Sequence, residues 1–158
     1  MSNLSLIEQP QILNLPEVTI AKLYAKVPTR EIMNEMGKLQ REVGDVLTQQ
    51  KVRPVGAWFT HHFHRPAEFF DFEVCFPTEG VITSQGRVEP GKWPAMRAVR
   101  TIYTGQYSGL IDAWGEFMKY IDQEGLRVSE EIYERYLVNP NNEADPSKWQ
   151  TELIRPLL

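Results

Sequence analysis

One acidic residue is notable because apolar and aromatic residues flank it on a predicted strand. The segment Ile132–Val138 reads IYERYLV, a pattern typical of a β-strand. Because side chains alternate along a strand, Ile132, Glu134 and Tyr136 would share one face. Burying an unpaired carboxylate there costs several kcal/mol or raises its pKa. A bound cation would remove that cost, and each aromatic face in contact with it would add roughly 0.5–2 kcal/mol.

Glu134 also has a simpler interpretation, which the residues alone favour. Its side chain would then be exposed, or it would pair with a neighbouring strand through Arg97 or Arg100. Aromatic residues make up 11% of the chain, and each competes with ordinary core packing. The aromatic residues predicted to wall a site around Glu134 are Tyr136, Tyr107, Trp58 and Trp149, with Phe72 and Trp93 as further candidates.

Other residues with chemical potential carry weaker signals. All three histidines lie in the tetrad HHFH at 61–64, where His62 and His64 would share a face as metal ligands can. No cluster of Cys, His or Asp elsewhere in the sequence has the spacing of metal ligands, so these histidines are predicted to lie at a strand end or in a loop. Cys75, the single cysteine, excludes an internal disulfide and is interpreted as a small buried residue. The G-x-x-x-G sequence at 105–109 lacks the lysine that a phosphate-binding loop requires. We expect no metal and no cofactor.

Bulk composition places the chain among ordinary globular proteins. Its 158 residues are 42% hydrophobic and 24% charged, with a net charge of −4. This acidic balance argues against nucleic-acid binding, and no apolar run approaches the roughly 18–20 residues of a membrane span. The first residues lack the features of a signal peptide, so a cytoplasmic location is expected. Nothing before residue 17 would hold a helix-turn-helix, so direct transcriptional control is not expected.

The elements that must position these residues occur twice. Residues of about 17–77 and 94–158 each read as strand, helix, aromatic strand, long loop and strand. The helices begin near Thr29 and Ser108, 79 residues apart, and Glu73 and Glu152 have the same separation. We therefore predict one α+β domain over 1–158, a duplicated β-α-β-β repeat with pseudo-twofold symmetry. Antiparallel strands and two main helices would enclose one central ligand cleft.

Periodicity also predicts individual boundaries. Thr29 is the expected N-cap of the first helix and Gly125 the C-cap of the second, which would end at 124. Helical spacing predicts that the inward face of the second helix carries Leu110, Trp114, Phe117, Met118 and Ile121. The predicted strands cover about 7–13, 17–26, 57–63, 69–76, 96–103, 132–138 and 149–154. Residues 77–93 are predicted to be a loop that links the two halves, with a short strand within 81–88.

Two motifs in the second half resemble those of the GyrI-like small-molecule-binding family. GQYSGL at 105–110 is similar to the family's G-P-Y-x-G-L, which opens its second helix. YERYLVNP and WQTELIRP, at 133–140 and 149–156, resemble its W-E-x-Y-L-x-D-P and W-x-T-E-L-x-x-P. The resemblance runs from about residue 21 to 158. Tyr133 stands where Trp is usual and Gln106 where Pro is usual.

The resemblance implies the effector-binding domain of multidrug-responsive transcription regulators, in a stand-alone form. In such regulators an acidic residue in an aromatic pocket pairs with bulky lipophilic cations, and the motif maps it to Glu134. Members resembling this family also hydrolyse cyclopropane rings of genotoxic natural products, for which Glu134 with Tyr136 or Tyr107 would provide general acid–base catalysis. A gyrase-inhibitor-type protein-interaction module is a third alternative.

Our leading prediction is a binding module for lipophilic, cationic aromatic compounds rather than an enzyme, and whether the ligand is only bound or also hydrolysed stays open. The sequence does not identify the natural ligand, and it leaves open whether the protein forms a homodimer or acts with a partner regulator.

Overall fold

The computed structural model describes residues 5–158 and has eight strands and two main helices. The strands are β1 Gln11–Leu15, β2 Val18–Pro28, β3 Phe59–His62, β4 Phe69–Pro77, β5 Val88–Trp93, β6 Met96–Thr104, β7 Ile132–Val138 and β8 Gln150–Pro156. The helices are α1 Ile32–Gln50 and α2 Leu110–Gln123. Single 3-10 turns at Thr29–Glu31, Tyr107–Gly109 and Pro146–Lys148 precede α1, α2 and β8. Residues 1–4 of the predicted domain lie outside the described residues.

All eight strands form one antiparallel sheet in the order β1-β6-β8-β7-β3-β4-β2-β5. The two predicted halves meet at its centre, where Thr60 on β3 lies opposite Glu134 on β7. On each side of this pair the strands follow in corresponding order, β8 and β6 on one side and β4 and β2 on the other. The predicted α+β architecture is confirmed, and the duplication itself stays a prediction.

Both helices cover the same face of the sheet. Along one row of cross-strand partners, Leu153 lies opposite Glu134, Glu134 opposite Thr60, and Thr60 opposite Val74, so these side chains share a face. Leu153 belongs to the core beneath α2, and Val74 to the core beneath α1. Because each helix packs over its own half, the middle of this face, around Thr60 and Glu134, lies between them.

Each helix is held by apolar residues at helical spacing. The fully or nearly fully buried members are Leu39, Val43 and Leu47 in α1, and Ala113, Phe117 and Ile121 in α2. Lys51, at φ 56°, ends α1, and Gly125, at φ 65°, follows α2 as the predicted glycine C-cap would. The opposite face of the sheet has a separate core that includes Phe59, Trp93 and Tyr133.

Several local predictions differ from the structure. The Thr29 hydroxyl donates to the Ala67 carbonyl at 2.7 Å and does not cap the helix, because the 3-10 turn comes first. Residues 81–87 form no strand, so the short strand expected within 81–88 was misplaced; β5 begins only at Val88 and pairs with β2. Neither main helix among residues 5–158 is long and apolar enough to cross a membrane.

Candidate functional site

A cleft of about 1090 Å³ opens between the two helices over the centre of the sheet. This volume slightly exceeds the range of about 300–1,000 Å³ that is typical of small-molecule pockets. Apolar side chains from both helices form much of its lining, among them Ile32, Met36, Ile111, Trp114 and Met118. Methionine side chains are flexible and polarizable, so such walls adapt to ligands of different shape.

The Glu134 carboxylate lies in this cleft between two hydrogen-bond donors. Its Oε2 accepts from Trp114 Nε1 at 2.7 Å, and its Oε1 accepts from Tyr136 Oη at 2.7 Å. Burial raises the pKa of the Glu134 carboxyl, and the two donors oppose that rise. The predicted alternative of a strand ion pair does not occur, since Glu134 has no ion pair among residues 5–158 and Arg100 bonds Glu152 at 2.8 Å.

A chain of polar groups continues from Tyr136 below the cleft. Because Tyr136 donates its proton to Glu134, the Thr60 hydroxyl must donate to Tyr136 Oη, 3.0 Å away. The Thr60 oxygen can then accept from His62 Nε2–H at 3.1 Å. His62 Nδ1 is buried and has no hydrogen-bond partner within the described part of the chain. Burial, with the charges of the adjacent histidines, lowers the pKa of His62 to about 4, so the ring is neutral near pH 7.

Aromatic rings flank the carboxylate on the strand side. The Trp58 ring lies 4.3 Å from that of Tyr136, and Tyr107 meets Tyr136 edge-on at 5.9 Å. Trp149 packs against Tyr107 at 4.9 Å, while its Nε1 donates to the Glu143 carbonyl. Burial and the Glu134 charge raise the pKa of Tyr107 to about 12. Trp149 therefore supports Tyr107, and Tyr107 presents its ring to the cleft.

Three of the six predicted wall residues lie away from the cleft lining; they are Trp149, which packs behind Tyr107, Phe72 and Trp93. Phe72 is fully buried below His62, with the rings stacked at 5.2 Å. Trp93 lies in the core on the opposite face of the sheet, 4.2 Å from the Phe59 ring and beneath the Arg135 guanidinium. The structure thus brings together Glu134 with three of the six predicted aromatic residues; these are Tyr136, Tyr107 and Trp58.

The histidine tetrad does not converge on one point. His61 points to the other face, where its ring nitrogens contact Glu73 and Glu131 at 3.2 and 2.7 Å. His64 is exposed at the cleft mouth and contacts Asp71 at 3.2 Å. Among residues 5–158 no group of three His, Cys, Asp or Glu side chains is placed to hold a metal ion.

Sequence reasoning missed three residues of the site. Trp114 was predicted to face inward from α2, but its bond to Glu134 links elements that are distant in sequence. His62 was expected at a strand end or loop and is the last residue of β3, but its burial was not predicted. Arg155 was not singled out, although it lines the cleft from β8. Only the bond from Trp114 had a signal in the sequence: an indole predicted to face the sheet needs an acceptor for its buried N–H, and a strand with an acidic residue could provide one.

Comparison with known proteins identifies the family. Residues 8–158 match the sequence profile of the GyrI-like small molecule binding domain. The chain belongs to the GyrI-like family. No protein of curated function has a sequence that matches this GyrI-like domain.

Solved structures share its fold. The C-terminal domain of EcmrR superposes with a TM-score of 0.83 at 21% identity, covering 95% of this chain and 97% of that one. In an EcmrR–DNA complex the TM-score is 0.86 at 22% identity, covering 96% of this chain. The GyrI-like domain corresponds to only 57% of that EcmrR chain.

Two further structures carry functional descriptions. A hydrolase from Listeria innocua has a TM-score of 0.62 at 14% identity, over 95% of this chain and 92% of its own. The protein SAV2435, bound to tetraphenylphosphonium, has a TM-score of 0.66 at 14% identity, over 96% and 94%. At these identities the similarity establishes the fold alone.

Proposed function

We propose that this GyrI-like domain binds lipophilic cations bearing aromatic groups, and that Glu134 is their counter-ion. The observation that carries the proposal is a carboxylate in an apolar cleft with two neutral donors and no cationic partner among residues 5–158. Trp114 and Tyr136 hold the carboxylate in place without neutralising it. A cation would supply the missing charge, and flat rings would pack against the aromatic and methionine side chains.

The electrostatic contribution can be sized from the site. At about 5 Å and an effective dielectric constant of about 20, a cation and the carboxylate attract by roughly 3 kcal/mol. Desolvation of the charges offsets part of this, so we expect a net effect of at least ~10-fold in affinity. Tyr107, Tyr136 and Trp58 offer cation–π contacts of about 0.5–2 kcal/mol each. Such a site selects charge and hydrophobicity more than shape.

The test compares ligands of similar size and different charge. Tetraphenylphosphonium, neutral triphenylphosphine oxide and tetraphenylborate are titrated against wild type and Glu134→Gln, with tryptophan fluorescence and thermal shift as readouts. Trp58 and Trp114 line the cleft, so bound ligand should change their emission. We expect wild type to prefer the cation over the neutral compound, and Glu134→Gln to lose at least ~10-fold in cation affinity while neutral binding is retained.

Glu130→Gln is the matched control, because Glu130 is an exposed acid at the cleft mouth. It should leave the preference intact. Equal binding of cation and neutral compound by wild type, or an unchanged preference in Glu134→Gln, would sink the role proposed for Glu134.

A second candidate function is hydrolysis of cyclopropane-bearing genotoxic natural products. The observation favouring it is the hydrogen-bonded series Glu134–Tyr136–Thr60–His62 together with the raised pKa of Glu134. Opening the ring requires water at one carbon and a proton for the group that takes up the bonding electrons. A carboxyl group at this position could exchange a proton with substrate and orient the water, with Tyr136 or Tyr107 donating a hydrogen bond.

Mass spectrometry of an incubated cyclopropane substrate distinguishes holding from hydrolysing. Hydrolysis predicts a product heavier by one water with wild type and none with Glu134→Gln. Recovery of intact substrate after saturating binding to wild type would exclude this second function.

A further inference from the structure

A buried guanidinium lines the same cleft without an acidic partner. Arg155 on β8 is 5% exposed. Its Nε donates to the Glu131 carbonyl at 3.1 Å and its Nη2 to the Ser129 carbonyl at 2.6 Å, while Nη1 contacts the Met118 sulfur. Within the described chain it forms no ion pair with Asp or Glu. The positive charge is therefore held in place by neutral groups only.

This arrangement leaves the charge poorly compensated. Arginine is rarely this buried unless it is paired with an anion. A guanidinium has five N–H donors and stays protonated, and a thioether is a weak acceptor. Two carbonyls and one sulfur thus leave donor capacity and the full charge unmatched. The two carbonyl bonds fix the guanidinium to the segment before β7, so it is also rigidly oriented.

No surrounding acidic side chain among residues 5–158 bonds this guanidinium, and Glu134, its diagonal neighbour across β7 and β8, bonds Trp114 and Tyr136 instead. Arg65 also lines the cleft, and its charge, together with burial, lowers the pKa of Arg155. Glu131 contributes its carbonyl to Arg155, but its carboxylate turns away to His61. Glu130 lines the mouth, is exposed, and forms no ion pair with either arginine among residues 5–158. An anion at this end would therefore relieve repulsion between two cations.

We propose that Arg155 is an anion subsite of the cleft, built for a carboxylate or similar oxyanion on the ligand. A planar guanidinium matches a carboxylate through paired, charge-assisted hydrogen bonds. Met118 covers Nη1, and its unbranched, flexible side chain can move aside when the anion arrives.

The position of this subsite defines the ligand class. Glu134 lies opposite Leu153, and Arg155 is two residues further along β8, so the two charged residues are diagonal neighbours about 7–8 Å apart. If the proposed function holds, on which this step rests, the fitting ligand is a lipophilic zwitterion. Its cationic and anionic groups would be separated by a short chain.

A matched pair of ligands tests the subsite. Carboxybutyl-triphenylphosphonium and its methyl ester share the cation and the chain, and only the acid carries a carboxylate. Isothermal titration calorimetry should show wild type binding the acid about 10-fold more tightly than the ester, the ratio expected of one charged hydrogen-bonded pair. In Arg155→Met, which keeps a long apolar side chain, that ratio should fall to about one with ester affinity unchanged.

Two further arms keep this inference separate from the proposed function. Naphthalene carboxylate has no cation, so binding that is lost in Arg155→Met supports the anion subsite even if Glu134→Gln has no effect on phosphonium. Arg65 is an exposed cation, so Arg65→Gln should reduce the ratio of acid to ester affinity less than Arg155→Met does.

If Arg155→Met does not fold, the wild-type ratio decides, and Arg155→Lys should retain part of the acid preference through its charge. A wild-type ratio of one or less, or a ratio unchanged in Arg155→Met, would show that Arg155 only ties the chain segment before β7 to β8.

Discussion

Trp114→Phe should change the pH dependence of cation binding without removing the site. The substitution deletes the indole N–H that donates to Glu134 Oε2 at 2.7 Å, and keeps an aromatic ring near Phe117. A hydrogen bond to a charged group contributes about 1.5–3 kcal/mol to the charged form. Losing it favours the protonated carboxyl, which no longer attracts a cation.

The direction and size of the effect follow from the raised pKa of Glu134. The ionised carboxylate binds the cation, so affinity is greatest above this pKa and falls as the pH drops through it. One pH unit corresponds to about 1.4 kcal/mol, so the midpoint of this fall should move up by roughly one to two pH units in Trp114→Phe. Well above both midpoints the two proteins should bind equally.

The assay is calorimetric titration of tetraphenylphosphonium, whose charge does not vary with pH, at a series of pH values. Trp149→Phe is the matched control, because it also loses an indole donor, but one that bonds the Glu143 carbonyl outside the cleft. Its midpoint should stay at the wild-type pH. A midpoint unmoved in Trp114→Phe, or moved equally in both variants, would refute the argument that Trp114 stabilises the ionised carboxylate.

Two other predictions concern the scaffold around the site. Gly109→Ala should lower the free energy of unfolding by about 1–3 kcal/mol, since the new Cβ would lie 2.9 Å from Tyr103 Cζ. Gly115 is exposed in α2, and a Cβ there would have no atom within 4 Å, so Gly115→Ala should be neutral or stabilising by up to about 1 kcal/mol. Thermal melts in which Gly115→Ala is the less stable variant would contradict this ranking. The lowered pKa of His62 favours the neutral folded form, so its stabilising contribution is complete above pH 6.5 and is lost as the pH falls toward 4. This loss amounts to about 3 kcal/mol of the free energy of unfolding. Urea denaturation at a series of pH values should therefore show that acid destabilises His62→Gln less than wild type. Identical pH profiles for the two proteins would refute this role of His62.

The sequence was informative where the signal is local. Alternation in IYERYLV predicted that Glu134 and Tyr136 share a face, and both line the cleft in the structure. Helical spacing predicted that Trp114 and Phe117 face the sheet, as they do. These features depend only on the period of the backbone, which neighbouring residues determine. The resemblance of the second-half motifs to the GyrI-like family was confirmed by the match over residues 8–158.

Pairings between distant segments could not be predicted in the same way. Trp93 was predicted to lie in a linking loop, so the sequence did not indicate which face of the sheet its side chain would occupy. The pairing of β5 with β2 places it on the face opposite the helices. Leu153 and Arg155 alternate with Ile154 in sequence, but only the sheet order shows which of them faces the cleft. Trp114 reaches Glu134 across a separation of 20 residues. Such contacts depend on register and on the order of strands, which a single sequence does not encode locally.

A crystal structure of this chain with tetraphenylphosphonium tests the central claim most directly. We predict that the phosphorus lies in the cleft within about 6 Å of the Glu134 carboxylate, a distance at which opposite charges stabilise each other. Its phenyl rings should contact Tyr107 and Trp114, and Trp114 should still donate to Glu134. A cation bound outside the cleft, or within it but remote from Glu134, would contradict the account.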